Sequence, residues 1–422
     1  MEMTKIIFYF PYQEECGVPV LFLRMSKWLA KNHGDEFDVY VGDYVDGAMA
    51  RNLTVDDHVK ICASGKPEGI TVSDGDILVM QTLNPYYFPK ELHLSPKAKL
   101  FYWTLHFQNL IPSLLPIPGL RELPFRYLWV FKLCSIFYQG LLGRMRKLAD
   151  DMMSHEALYF MDVSTLKQTI LHLPIHVPSH LDYLPVPASD YNGPLKQHNN
   201  DFSCIEACWI GRISYEKTPI LVHTLIRCSK FALENKQKIH FHVVGSGEFE
   251  NWVNNLDIEN EYFSKTKCAP IKFSEIDEFL LKNIDIMFAM GTSALEAAKL
   301  GVPTVLVDCT PTKEPIKGDY VFKYIHERVG FDLGHTIGEE DLEDNNESLA
   351  EIFRLLKESY GNLSEKSRSH FVNKHSLSSV GNKFYDIMKK MTFTFDMIDP
   401  KVIERPFLLK VYNKLRGFNK FE

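Results

Sequence analysis

Residues Asp285–Asp308 read DIMFAMGTSALEAAKLGVPTVLVD, and their types and spacing outline a cradle for the phosphates of a nucleotide. Ile284–Ala289 is a short apolar run of buried-strand type, and Gly291 lets the backbone turn where a Cβ would clash. Thr292 or Ser293 is placed to cap a helix running to about Leu300, which Gly301 and Pro303 end. A helix begun this way leaves backbone N–H groups unpaired and a partial positive charge at the carboxyl edge of a parallel sheet, where a diphosphate can be held. Glu296 follows in that helix. It also completes a capping-box pattern, Ser293-Ala294-Leu295-Glu296, in which it would only tie down its own helix start.

The segment resembles the donor-binding stretch of GT-B-fold glycosyltransferases, in which a small-residue turn contacts the donor diphosphate and a glutamate in the next helix hydrogen-bonds the ribose. The resemblance assigns Gly291, Thr292 and Ser293 to the diphosphate and Glu296 to the ribose. Upstream, Trp209–Lys217, WIGRISYEK, repeats a second feature of the same proteins: a strand ending in Gly-Arg, followed by a lysine. It implies that Arg212 and Lys217 hold the leaving nucleoside diphosphate. Negative charge grows there as the sugar bond breaks, so two fixed cations stabilise the transition state more than the ground state. Taken alone, the pattern also reads as a solvated loop with two ordinary basic residues; its occurrence ahead of the Glu296 segment favours the donor site. Between the two, Gly245 and Gly247 in HFHVVGSGEFE resemble the glycine turn of the same half-molecule and read equally as a plain tight turn. Many retaining members carry an earlier glutamate where this chain has Phe288, which leaves retention or inversion open.

The elements that must position these groups follow the same plan. A chain of 422 residues suits two domains, each with its own core. The fold class expected is α/β: two Rossmann-like doubly wound domains facing across a cleft, the GT-B arrangement that the resemblance implies. Strands are expected at the amino terminus before Pro11, at Asp76–Met80, Lys99–Thr104 and Ala157–Met161, then at Glu206–Ile210, Ile239–Val244, Ile271–Phe273, Ile284–Ala289 and Thr304–Val307. Leu21–Ala30 carries helical spacing, and Asp162 or Ser164 is placed to cap a helix through Leu171. Proline and glycine in LPVPASDYNGP punctuate a linker. The division expected is an acceptor-side domain over 1–183, a linker over 184–202, a nucleotide-sugar domain over 203–390, and a basic, aromatic tail over 391–422 that in one reading crosses back to the first domain.

Transfer to an acceptor hydroxyl with inversion needs a carboxylate or imidazole that takes its proton. Glu14 and Glu15 lie in the first strand-to-helix loop, and His106 follows a strand in FYWTLHFQN; these three are the candidates, against the alternatives of a solvated loop and a packed histidine. No metal and no cofactor is implied beyond the sugar nucleotide, because no DxD-type pair follows a strand; Asp150-Asp151 reads as helix surface. A net charge of −7 argues against a general nucleic-acid binder. Eight cysteines without metal-type spacing read as free thiols of a reducing cytoplasm, Cys204 and Cys208 among them.

Residues Leu110–Leu148 mix leucine and aromatics with Arg121, Arg126, Lys132, Arg144, Arg146 and Lys147 against a single acid before the helix surface, Glu122. The mixture fits an anionic membrane surface, and the alternative is a core helix with a basic edge. The expected protein is thus a bacterial glycosyltransferase, cytoplasmic and peripheral at the inner face of the plasma membrane. It takes a nucleotide-sugar donor and a glycan or lipid-linked glycan acceptor in surface polysaccharide assembly. A nucleotide-sugar epimerase of the same fold and a non-catalytic GT-B-like scaffold subunit are the rival readings.

Overall fold

The computed structural model describes residues 3–14, 16–66, 68–81, 88–111, 114–115, 120, 123–198 and 201–403. Glu15, Pro112, Pro116, Pro118, Arg121, Glu122 and the tail 404–422 lie outside the described residues, as does the side chain of Arg126. The chain divides into two compact units: the first runs from Met1 to Pro185 and resumes at Val380, and the second is Val186–Ser379.

In the first unit β1 (Thr4–Tyr9), β2 (Phe37–Asp43) and β3 (Lys60–Ala63) are followed by β4 (Ile70–Val72), β5 (Ile77–Met80), β6 (Leu92–Leu94), β7 (Lys99–Thr104) and β8 (Leu158–Phe160). The main sheet has the order β3-β2-β1-β5-β7-β8, all parallel, and β4 pairs with β6 apart from it. Its central strands are covered on both faces, which is why Ile6, Ile7 and Phe8 form an unbroken apolar run at 0% exposure. Helix Gly17–His33 carries Pro19 in its first turn, where the missing N–H has no intrahelical partner to lose. From Val380 the helix Leu377–Lys390 belongs to this unit, with the Phe384 ring centroid 5.5 Å from Phe8 and 5.6 Å from Phe101. Phe393, Ile398 and Val402 join the same core.

The second unit has β9 (Cys204–Ile210), β10 (Lys238–Val244), β11 (Phe263–Cys268), β12 (Ile286–Ala289), β13 (Thr304–Leu306) and β14 (Lys323–Tyr324). The order is β11-β10-β9-β12-β13-β14, parallel except for β14. Residues 186–198 lie within this unit: Ala188 bridges to Ser376, and the Lys196 amide donates to Leu300 O at 2.8 Å. In both units the order reverses beside the first strand, between β1 and β5 and between β9 and β12. Loops at the carboxyl ends of those strands diverge and open a crevice where ligands of doubly wound sheets sit.

One expected strand is corrected. Ile271–Phe273 is not extended; the edge strand is β11, and Phe273 opens helix Phe273–Asn283. β11 lacks an apolar run because, paired on one side only, it turns Ser264 and Thr266 outward. The strands β2, β3, β4, β6 and β14 had no counterpart in the sequence reading. Among the described residues no helix is long and apolar enough to cross a membrane.

Candidate functional site

The carboxyl edge of the second unit's sheet collects the loops after β9, β10, β12 and β13. Gly211 and Arg212 follow β9 and lead to Lys217, the N-cap of helix Thr218–Asn235, whose first turn contains Pro219. The loop after β10 locks onto this one. The Ile213 amide donates to Ser246 O at 2.9 Å, and a Cβ on Gly245, at φ +138°, would stand 2.0 Å from Gly211 O. A Cβ on Gly247 would stand 2.3 Å from Ile213 O, so both glycines serve backbone approach. Among the described residues neither Arg212 nor Lys217 has a carboxylate within ion-pair distance. Burial holds Lys217 below the usual lysine range, and the positive charge of Arg212 lowers it further. The charge of exposed Arg212 thus acts on a half-buried Lys217, whose charged form an anion beside it would favour.

Gly291, at φ +62°, makes the turn after β12, and its amide donates to Leu333 O at 2.6 Å. It is also the N-cap of helix Thr292–Ala298, so Thr292 and Ser293 are the first helical residues rather than caps. The turn is completed by glycine's positive φ, leaving no geometry for a capping side chain. The amides of Thr292 and Ser293 have no acceptor among the described residues and stand at the crevice edge. Glu296 is 5% exposed and forms no capping box; its Oε2 lies 2.5 Å from Lys299 Nζ, off the direction of a hydrogen bond. Lys299 also pairs with Asp277 at 2.9 Å. Burial would lower the Lys299 pKa, but these two carboxylates outweigh it and hold it above the ordinary value.

Behind these loops lies a buried network that the sequence reading missed. Asp308, 0% exposed, accepts from Arg328 at 2.6 Å, Tyr320 Oη at 2.5 Å and the His335 amide at 2.9 Å. His335 bridges Asp332 and Asp341, each at 2.9 Å. The network fixes both halves of the site. Thr310, two residues beyond Asp308, donates its amide to Glu216 O at 2.7 Å, and Leu333, between Asp332 and His335, receives Gly291. Asp308, Asp332 and His335 have metal-like spacing, but Arg328 already supplies their cation. Ser214 Oγ, buried in the Arg212 loop without a hydrogen-bond partner among the described residues, is a further group the sequence did not single out. Its only signal was a small hydroxyl between the two cations. A groove of about 770 Å³ lined by Phe231, Asn235, Glu343 and Glu351 lies at the opposite end of helix Thr218–Asn235 and is too acidic for a diphosphate.

In the first unit Glu14 is exposed in the loop after β1 and His106 is exposed after β7. Both stand at the carboxyl edge of one parallel sheet, two strand spacings or ~10 Å apart laterally. His106 caps a short turn, its Nδ1 accepting from the Gln108 amide at 3.3 Å. Glu15 lies outside the described residues. Asp162 caps helix Val163–His172 through the Thr165 amide at 2.7 Å. The Leu110–Leu148 segment divides in two. Leu110, Ile111, Leu114, Phe131, Leu141 and Met145 enter the core, whereas Trp129 is 68% exposed and Phe137 82% exposed. All eight cysteines are free; Cys208 is buried and Cys204 half-buried.

No protein-family model and no curated protein sequence matches the chain. Solved structures do. A glycosyltransferase from Rickettsia africae ESF-5 superposes with a TM-score of 0.53 at 13% identity, covering 92% of this chain and 98% of that one. The apo form of the lipopolysaccharide outer core galactosyltransferase WaaB gives 0.51 at 10% identity over 92% and 99%. The chain has the GT-B fold of these proteins.

The buried network makes stability depend on pH. Burial disfavours charged His335, but its bonds to Asp332 and Asp341 and the field of Asp308 overcome this and raise its pKa to about 10. The unfolded histidine titrates near ~6.5. Because the folded pKa is the higher, the stabilisation is complete below ~6.5 and is lost as pH rises towards 10. Urea denaturation across that range will show a falling midpoint in the wild type and a smaller fall in His335→Gln. Parallel pH curves would mean that His335 carries no such charge.

Proposed function

We propose that the protein is a glycosyltransferase that moves a sugar from a nucleoside diphosphate donor to a glycan acceptor. The observation that carries this reading is the Arg212 and Lys217 pair, two cations with no carboxylate within ion-pair distance among the described residues, at the switch point of a parallel sheet. The donor diphosphate lies between them and the amides of Thr292 and Ser293, which have no acceptor among the described residues. As the bond from sugar to phosphate lengthens, charge moves onto the diphosphate, and the cations meet it without reorganising. Glu296 turns from Lys299 to the ribose hydroxyls. Glu14, Glu15 or His106 takes the proton of the acceptor hydroxyl, and the site needs no metal for transfer. The glycosyltransferases that share the fold support the reaction class.

We further propose that the acceptor is lipid-linked and that the enzyme lies at the inner face of a bacterial membrane, in surface polysaccharide assembly. Support comes from the exposed Trp129, Leu133, Ile136 and Phe137 beside exposed Lys132, Arg146 and Lys147. Apolar side chains enter the headgroup region while the cations meet anionic lipid. The free cysteines accord with a reducing compartment.

Arg212→Ala and Lys217→Ala will each lower kcat/KM at least about tenfold with the fold intact, and Glu296→Gln will chiefly raise the donor KM. The assay is transfer or donor hydrolysis with a panel of nucleotide sugars, and near-wild-type rates in both cation variants would remove the assignment. For the membrane, reversing Lys132, Arg146 and Lys147 to glutamate will weaken sedimentation with anionic liposomes by ~1 kcal/mol per residue, and added salt will act in the same direction. Binding that is absent, or indifferent to both, would make this segment an ordinary surface.

A further inference from the structure

We propose that Glu206, His240 and His242 form a binding site for one divalent transition-metal ion of the zinc class on the face of the second unit's sheet. The proposal stands apart from the transfer reaction and does not rest on it. Register places the three donors together: Glu206 pairs with His240 across β9 and β10, and His242 lies two residues further along the same face. Their neighbours on the opposite face, Ile205, Ala207, Ile239, Phe241 and Val243, are at most 1% exposed, so the backbone beneath the donors is held by the core.

The three side chains converge on one point. Glu206 Oε2 lies 2.8 Å from His242 Nε2 and 3.1 Å from His240 Nδ1, and the three candidate donor atoms fall within 4.8 Å of one another. Bonds of ~2.0–2.2 Å to two nitrogens and one oxygen are reached by small side-chain rotations from this arrangement. The side chains are 15% to 33% exposed, which leaves an entry path and a fourth position for water. A contact outside the donor set prepares the site. His240 Nε2 lies 2.9 Å from Thr266 Oγ1, on β11. When Nδ1 gives its lone pair to a metal, the ring proton moves to Nε2, and Thr266 is placed to accept it. His242 is oriented by the Phe279 ring, edge-on at 5.9 Å. Two imidazoles and one carboxylate favour zinc and its neighbours over magnesium or calcium, which prefer all-oxygen shells. In the other cluster of this kind among the described residues, at Asp308, Arg328 already supplies the charge that a metal would bring.

A bound ion would clamp β9, whose end carries Arg212, to β10, whose end carries Gly245 and Gly247. The test uses the full-length protein, dialysed against a chelator and then titrated calorimetrically with Zn²⁺ in excess Mg²⁺. One saturable site is expected, with a rise in Tm, and His240→Ala and His242→Ala will each weaken binding at least tenfold. Glu206→Gln, which keeps the shape and a hydrogen-bonding group, will weaken it as well. Co²⁺ substitution distinguishes this site from the free thiols: nitrogen and oxygen donors give ligand-field bands without thiolate charge transfer. Absence of one-to-one binding, unchanged binding in the double histidine variant with wild-type circular dichroism, or a thiolate band would each overturn the proposal. Should a histidine variant fail to fold, Glu206→Gln and the Co²⁺ spectrum of the wild type decide the matter.

Discussion

Two positive charges on one loop, exposed Arg212 and half-buried Lys217, with no carboxylate within ion-pair distance among the described residues, form the constraint on which the carboxyl edge of the second unit's sheet depends. The backbone of this loop is held on both sides: Gly245 and Gly247 let the next loop lie directly on it, and Thr310 fastens it from the other side. Burial first and the Arg212 charge second hold Lys217 below the usual lysine range, and an anion placed beside the pair would favour its charged form.

The network around Asp308 supplies the stiffness that such a site needs. Its ionic members, Asp308, Arg328, Asp332, His335 and Asp341, bring three acids to two cations, and Tyr320 adds a hydroxyl donor. Buried charges of this kind are stable when fully paired and costly when one is removed. Through Thr310 and Leu333 the network reaches both the cation loop and the Gly291 turn, so one cluster sets the position of both walls.

The sequence made the sheets legible where strands were buried on both faces, as at Lys99–Thr104, because apolar runs announce such strands. It failed at β11, where an edge position permits polar residues, and at β2, whose FDVYVGD interrupts the apolar run. The placement of Arg212, Lys217 and Gly291 in the loops after β9 and β12 was readable because a tight turn and two cations leave local marks. The Asp308 network was not, since its members come from separate loops and meet only through the fold. The pairing of Glu206 with His240 and His242 was hidden for the same reason: alternation puts His240 and His242 on one face, but only register brings Glu206 opposite. Gly291 rather than Thr292 or Ser293 caps the helix, a detail of φ that residue types do not specify.

The most direct measurement is the proton balance of nucleoside diphosphate binding. Calorimetry in buffers of different ionisation enthalpy, at alkaline pH where the depressed Lys217 has begun to lose its proton, reads the uptake that accompanies binding. A diphosphate between Arg212 and Lys217 favours the charged lysine, so the wild type will take up protons and bind more weakly as pH rises, whereas Lys217→Met will bind weakly with less uptake. Binding of equal affinity and equal proton balance in the two proteins would contradict the placement of the diphosphate at this pair.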